Sequence, residues 1–168
     1  MTTPTSASIE RPVKLNSMIG LYQKLGSLPG GKWLFSKALC FKAPYFQSID
    51  PKVLRLESGY SEWKLIKRRS VTNHIGTVHA LAMGCLAEMC AGTYMEASLP
   101  SHLRWIPKSM TVEYLAKATT SLRGVCDLDA ASLQVGDNVV PVDVFDEAGQ
   151  RVFHADITMY VSEHVKQK

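Results

Sequence analysis

Between Val78 and Met95 the sequence reads VHALAMGCLAEMCAGTYM, a helical stretch with one formal charge, Glu88. A helix that is apolar nearly all round must be covered on most of its sides. The rest of the chain therefore has to wrap it. Its length approaches that of a membrane span, which needs roughly 18 or more apolar residues. However, Glu88 would lie near mid-membrane at high cost, and Ala, Gly and Cys replace the usual Leu, Ile and Phe. The expectation is a buried helix of a soluble domain, with no membrane span.

The 168 residues suit one domain with an extension. After a tail, MTTPTSASIERPV, that lacks the apolar core of a signal peptide, Leu15–Leu28 and Lys32–Lys42 carry helical spacing. Pro29-Gly30-Gly31 separates the two helices and Pro44 ends the second. From Tyr45 the character changes. Phe46–Ile49, Val53–Glu57 and Tyr60–Lys67 read as strands before the apolar helix. After it, Leu103–Ala116, Thr119–Ala131, Asn138–Asp146 and Arg151–Ser162 read as a meander. Val140, Val142 and Val144 share one face, as do Phe153, Ala155, Ile157 and Met159. Asp146-Glu147-Ala148-Gly149 and Val135-Gly136-Asp137-Asn138 signal turns. This order predicts an α+β fold: an antiparallel sheet curling around one long helix. The predicted division is a tail and helical extension over 1–44 and a main domain over 45–168.

Net charge +4, with no basic run longer than Lys67-Arg68-Arg69, argues against nucleic acid as partner. Cys40, Cys85, Cys90 and Cys126 show neither CxxC nor zinc-ligand spacing. Cys85 and Cys90 read as small core residues. With no disulfide framework, the expected compartment is a reducing cytoplasm. His102, His154 and His164 form no metal-binding pattern, and no metal site is expected.

The run N-H-I-G-T-V-H-A-L-A-M-G-C-L-A-E, Asn73 to Glu88, resembles the loop-and-helix signature of hotdog-fold thioesterases. It is most similar to the DUF4442 branch, where Asn-His-x-Gly-Thr-x-His-Ala leads into a helix bearing Glu. The likeness covers roughly Phe46 to Val161. It implies a hotdog fold, a curved antiparallel sheet wrapped around a central apolar helix, assembled as a homodimer or a dimer of dimers. It implies hydrolysis of acyl-CoA or acyl-carrier thioesters with no cofactor beyond the coenzyme A of the substrate. Residue by residue, the family's acid matches Glu88, its loop Asn matches Asn73 and its His matches His79. The small residue whose amide faces the thioester oxygen matches Ala80. Relatives of the phenylacetate-thioesterase type read His-Gly-Gly where this chain has His79-Ala80-Leu81, and carry Asp where it has Glu88. Some relatives add a Ser or Thr on the strand after the helix, where this chain offers Ser109 and Thr111.

The residue chemistry points to the same positions. At 100° per residue, Leu81, Cys85, Glu88 and Gly92 fall within one arc of the helix. A carboxylate there either finds partners or has its pKa raised by burial. It can then act as general base on water or attack a thioester to give a mixed anhydride. Free amides and the positive dipole end at the helix N-terminus stabilise an oxyanion, a role for Ala80 with Gly76. Asn73 would donate to a water or to Glu88, and His79 would orient the loop. Ala80 and Glu88 stand about 12 Å apart along the helix, too far for one glutamate to bridge. Glu88 of one subunit is therefore expected to serve the Asn73–Ala80 loop of another.

Each of these residues also has a structural reading: Glu88 as a bonded buried acid, Asn73 as a turn cap, His79 as a satisfied histidine. Lys64, Lys67, Arg68 and Arg69 read as a solvated strand edge more readily than as a coenzyme A phosphate site. Trp33, Phe35 and Phe41 read as packing of the N-terminal helices more readily than as an acyl tunnel. The alternative function is a non-catalytic acyl or acyl-CoA binding protein. A hydroxyacyl dehydratase is disfavoured because the Pro-rich His loop of those enzymes is absent.

Overall fold

The computed structural model describes residues 17–163; the tail (1–13) and His164 lie outside them. Helix α3 (Ala80–Ser98) is the apolar stretch, displaced by two to three residues from the sequence reading. It starts at Ala80 because His79, extended at φ −65° and ψ 140°, caps it: His79 Nδ1 accepts from the Leu81 amide at 3.1 Å. Most of its residues are buried, Leu86, Ala87, Cys90, Ala91, Tyr94 and Met95 completely.

Six strands cover it: β1 (Lys52–Glu57), β2 (Tyr60–Leu65), β3 (Leu103–Tyr114), β4 (Leu122–Asp127), β5 (Gly136–Phe145) and β6 (Arg151–Glu163). They form one antiparallel sheet in the order β1-β2-β4-β5-β6-β3. The sheet curves around α3, as the patterning predicts. Val140, Val142 and Val144 of β5 and Phe153, Ala155, Ile157 and Met159 of β6 are buried, because alternate residues of a strand face one side. The chain enters α3 from β2 and leaves it into β3 at the far edge.

Gly124 shows how closely helix and sheet approach. A Cβ there would lie 2.8 Å from Cys90 Sγ and 3.0 Å from Leu86 Cγ. Trp63, fully buried on β2, finds its hydrogen bonds inside the core. Its Nε1 donates to Thr93 Oγ1 at 2.9 Å and Ser61 Oγ at 3.2 Å, and Ser61 and Thr93 hydroxyls meet at 2.8 Å. Thr93 Oγ1 in turn donates to the Met89 carbonyl at 2.7 Å.

The N-terminal hairpin is α1 (Ser17–Gly26) and α2 (Gly31–Lys42). Phe35 of α2 joins the common core, with ring centroids 6.4 Å from Trp63 and 5.2 Å from Tyr22. Two strand readings need correction. Pro44–Ser48 forms a 3-10 turn instead of a strand through Phe46–Ile49. Pro44 sets the turn's dihedral, and the amides of Phe46, Ile49 and Asp50 are taken by carbonyls three residues back. Beyond β4, Asp129 Oδ1 accepts from the Ala131 amide at 2.9 Å and begins another such turn, Ala130–Ser132. The Asp146–Gly149 turn is as read: Asp146 Oδ1 accepts from the amides of Ala148 and Gln150, and Gly149 takes φ 81°. The second turn signal instead opens β5, with Asn138 bonded to Gln134 and the Gly136 carbonyl.

Candidate active site

The loop before α3 is closed by an isolated bridge between Thr72 and Val78. Asn73 organises its interior. Oδ1 accepts from the amides of Ile75 at 3.2 Å and Thr77 at 3.0 Å, and Nδ2 donates to Thr77 Oγ1 at 2.7 Å. The Asn73 side chain is thus spent on its own loop, an Asx-type arrangement. Gly76 takes φ 77° at the tip, and its amide donates to the Asn73 carbonyl at 3.1 Å. Its role here is conformational, since a residue with Cβ would be strained.

His79 follows. Its amide donates to the Val71 carbonyl at 2.8 Å, which ties the loop to the helix start. With Nδ1 accepting from Leu81, a neutral ring carries its proton on Nε2, at the exposed edge. The amides of Leu81, Ala82 and Met83 are all engaged by His79. The Ala80 amide has no acceptor among the described residues. It is the orphan donor at the positive end of α3.

Glu88 stands two turns further along. It is half-buried, and among the described residues it makes no hydrogen bond or ion pair. Leu81, Gly84 and Glu88 form a stripe of α3 that is only partly covered, and Leu81 is 71% exposed. The carboxylate also lines a cleft of about 500 Å³ between α3, β3 and the α1–α2 hairpin. Met18, Leu21, Phe35, Leu39 and Phe46 form its apolar wall, and Met89, Gly92 and Trp105 its floor. Gly92 lets the Trp105 ring approach α3 closely: a Cβ there would meet Trp105 Cη2 at 3.0 Å. Further along, Glu96 Oε1 accepts from Trp105 Nε1 at 3.1 Å. Burial, followed by the nearby charge of Glu88, pushes the Cys85 thiol up to about 12.

Met110 passes Gly84 and Trp105 passes Gly92, so β3 runs antiparallel to α3. An irregularity between Pro107 and Ser109 shifts the register. Pro107 pairs with buried Met159, and Met110 with buried Ile157. Ser109 pairs with Thr158 on the sheet face turned away from α3. Ser109, offered by the strand after the helix, therefore faces away from Glu88 within the chain, and the bulge is the reason. Asn73, Gly76, His79 and Ala80 form one cluster, while Glu88 lies about 12 Å along the helix from Ala80.

Of the cleft-lining residues of α1 and α2 only Phe35 was weighed for an acyl tunnel, and Trp105 with Glu96 carried no signal of a site in the sequence. The basic residues serve the scaffold. Arg68 donates to the carbonyls of Ile49 at 3.1 Å and Ser48 at 3.2 Å, and Lys67 to that of Thr119 at 2.8 Å. Phe35 packs as expected and also lines the cleft, whereas Trp33 and Phe41 are exposed. Among the described residues no three His, Cys, Asp or Glu side chains are placed to hold a metal ion. No helix among them is long and apolar enough to cross a membrane.

None of the curated proteins compared matches the chain. A structural-genomics crystal structure, 47% identical, aligns over 88% of this chain and 97% of its own with a TM-score of 0.77. A Pseudomonas aeruginosa protein of unknown function, described as a probable thioesterase, is 23% identical over 82% of this chain and 97% of its own (TM-score 0.71). A Haemophilus influenzae thioesterase is 12% identical over 77% and 90% (TM-score 0.69). A Streptococcus mutans protein bound to acetyl-CoA is 18% identical over 66% and 87% (TM-score 0.57). These likenesses establish the hotdog fold. The model of the domain of unknown function DUF4442 matches residues 31–161, most of the chain, and this protein therefore belongs to the DUF4442 family.

Proposed function

We infer that the protein hydrolyses acyl thioesters, acyl-CoA or acyl-carrier, with Glu88 as base or nucleophile. The observation that carries this reading is the Glu88 carboxylate, without a hydrogen bond or ion pair among the described residues, at the edge of an otherwise largely apolar cleft. The orphan Ala80 amide on the same helix supports it as an oxyanion donor. As general base, Glu88 takes a proton from water while the water oxygen attacks the thioester carbonyl. The carbonyl oxygen collects negative charge beside the Ala80 amide. The C–S bond then breaks, and the thiolate leaves with a proton to give free acid and thiol. As nucleophile, Glu88 displaces the thiolate and forms an anhydride that water cleaves. Turnover in heavy-oxygen water separates the two, because only the second route can carry the label into the Glu88 carboxylate.

The cleft follows α3 from Glu88 to Glu96, about 12 Å. An extended chain advances about 1.2 Å per bond, so a medium-length acyl chain of about ten bonds fits. Its carbonyl would lie at Glu88 and its tail on Trp105.

Ala80 and Glu88 of one chain are too far apart to act on one carbonyl, so the complete site joins Glu88 of one copy to the Asn73–Ala80 segment of another. Three features support a homodimer. β3 is a twelve-residue edge strand, which soluble proteins rarely leave bare. Ile106, Tyr114 and Leu81 are exposed on it and on the neighbouring stripe of α3. Gly84 in that stripe leaves room for a close neighbour.

The test is a hydrolysis screen over short, medium and long acyl-CoAs with Glu88→Gln alongside. Rate should peak at medium chains, and the variant should lose about 10²–10⁴-fold in kcat while still binding a non-hydrolysable analogue. Unchanged turnover in the variant would remove Glu88 from the chemistry. Binding without turnover in the wild type would instead mark a non-catalytic acyl-binding protein.

A further inference from the structure

The outer face of α2 is apolar and aromatic where a surface helix is normally polar. Phe41 is 90% exposed and Tyr45, in the turn after α2, is 73% exposed. Trp33 and Leu34 are each about half exposed. At about 100° per residue, Leu34, Ala38 and Phe41 share a stripe about 60° wide, with Lys37 and Lys42 at its two edges and Trp33 beyond Lys37. The inward side carries Phe35, Ser36 and Cys40, all buried. This helix thus has two apolar faces, one already used by the core.

The charge around the outer face has one sign. From Ser17 to Ile49 the sequence contains no Asp or Glu, while Lys24, Lys32, Lys37 and Lys42 are basic. Lys37 reaches Asp50 at 2.7 Å, and Lys32 donates to the Leu54 carbonyl. A second copy docking face to face would set like charges against one another. Protruding Phe and Tyr rings with Lys flanks instead fit the headgroup–acyl boundary of an anionic bilayer, where rings enter the interface and lysines meet lipid phosphates.

We propose that the outer face of the α1–α2 hairpin docks on anionic lipid surfaces. The protein lies on the bilayer and does not cross it. The same hairpin walls the cleft, so a docked molecule receives acyl chains from the lipid phase at Leu21 and Ala38. That consequence rests on the acyl-thioester reading; the docking itself does not.

The experiment is flotation of the full chain with phosphatidylglycerol/phosphatidylcholine vesicles and with phosphatidylcholine alone, read without any activity assay. Wild type should float with the anionic vesicles and release as salt rises. Its Trp emission should shift to the blue, and Trp33→Phe should remove most of that shift, because Trp63 is fully buried and Trp105 is half-buried on the cleft floor. The double variant Phe41→Ser, Tyr45→Ser should bind at least about tenfold more weakly with unchanged circular dichroism, since both side chains are exposed. Three results overturn the proposal: no flotation with anionic vesicles, equal flotation of the double variant, or a fall in solution mass in that variant without lipid. The last would mean that a second copy covers the face. Loss of docking with intact hydrolysis leaves the enzymatic reading standing, and the converse leaves the docking standing.

Discussion

Ala80 offers an unusually clean substitution. It is the first residue of α3, where a missing N–H breaks no intrahelical bond and proline is well tolerated. His79 before it is already extended, the conformation a following proline requires. Ala80→Pro should therefore melt close to wild type by circular dichroism while kcat drops about 10²–10³-fold, the usual loss for one oxyanion donor. Full activity in this variant would assign the oxyanion to other donors. Cys85 gives a second residue-scale prediction. Burial raises its thiol from 9.0 to about 12, so the folded state holds the proton more tightly than the unfolded chain. The stabilisation is complete below about pH 8.5 and is lost as pH rises towards 12. Urea titrations between pH 8 and 11 should show a shallower alkaline fall in Cys85→Ala than in wild type. Both residues were legible in the sequence, Ala80 from its motif position and Cys85 as a core residue. That His79 engages the next three amides and leaves the Ala80 amide alone was not, because it depends on the ring and backbone geometry of His79.

At the scale of elements, the contact between α3 and β4 depends on the absence of a side chain at Gly124. A methyl there must displace Cys90 Sγ or Leu86, neither of which has space to retreat. Gly124→Ala should lower stability by about 1–3 kcal/mol in denaturant unfolding, the range for an overpacked core. A neutral result would mean that the helix can lift from the sheet. Helix α3 and strands β5 and β6 were readable because their periodicities reflect the faces they bury. Phe46–Ile49 was misread because its side chains favour strands locally. There Pro44 and the Arg68 guanidinium, reaching from twenty residues away to the Ser48 and Ile49 carbonyls, favour a turn. The facing of Ser109 was not legible for a related reason, since one bulge reverses the facing of everything after it.

For the whole molecule, the shared site makes a prediction that single-chain catalysis cannot. Glu88→Gln and Ala80→Pro, each inactive alone, should regain up to about a quarter of wild-type activity when unfolded together and refolded as mixed dimers, because each heterodimer rebuilds one complete site. No recovery, in a mixture whose mass proves heterodimers, would place both groups within one chain's site. The sequence by itself determined the central helix, the sheet that must wrap it, the lone carboxylate and the capped loop, because periodicity and local hydrogen bonding encode these over a few residues. Only the tertiary structure decided that Glu88 opens on a cleft, that α1 and α2 supply its wall, and that Ser109 faces away. It alone shows Trp33 and Phe41 turned outward. These depend on which surfaces distant segments bring together, and no local pattern carries that information.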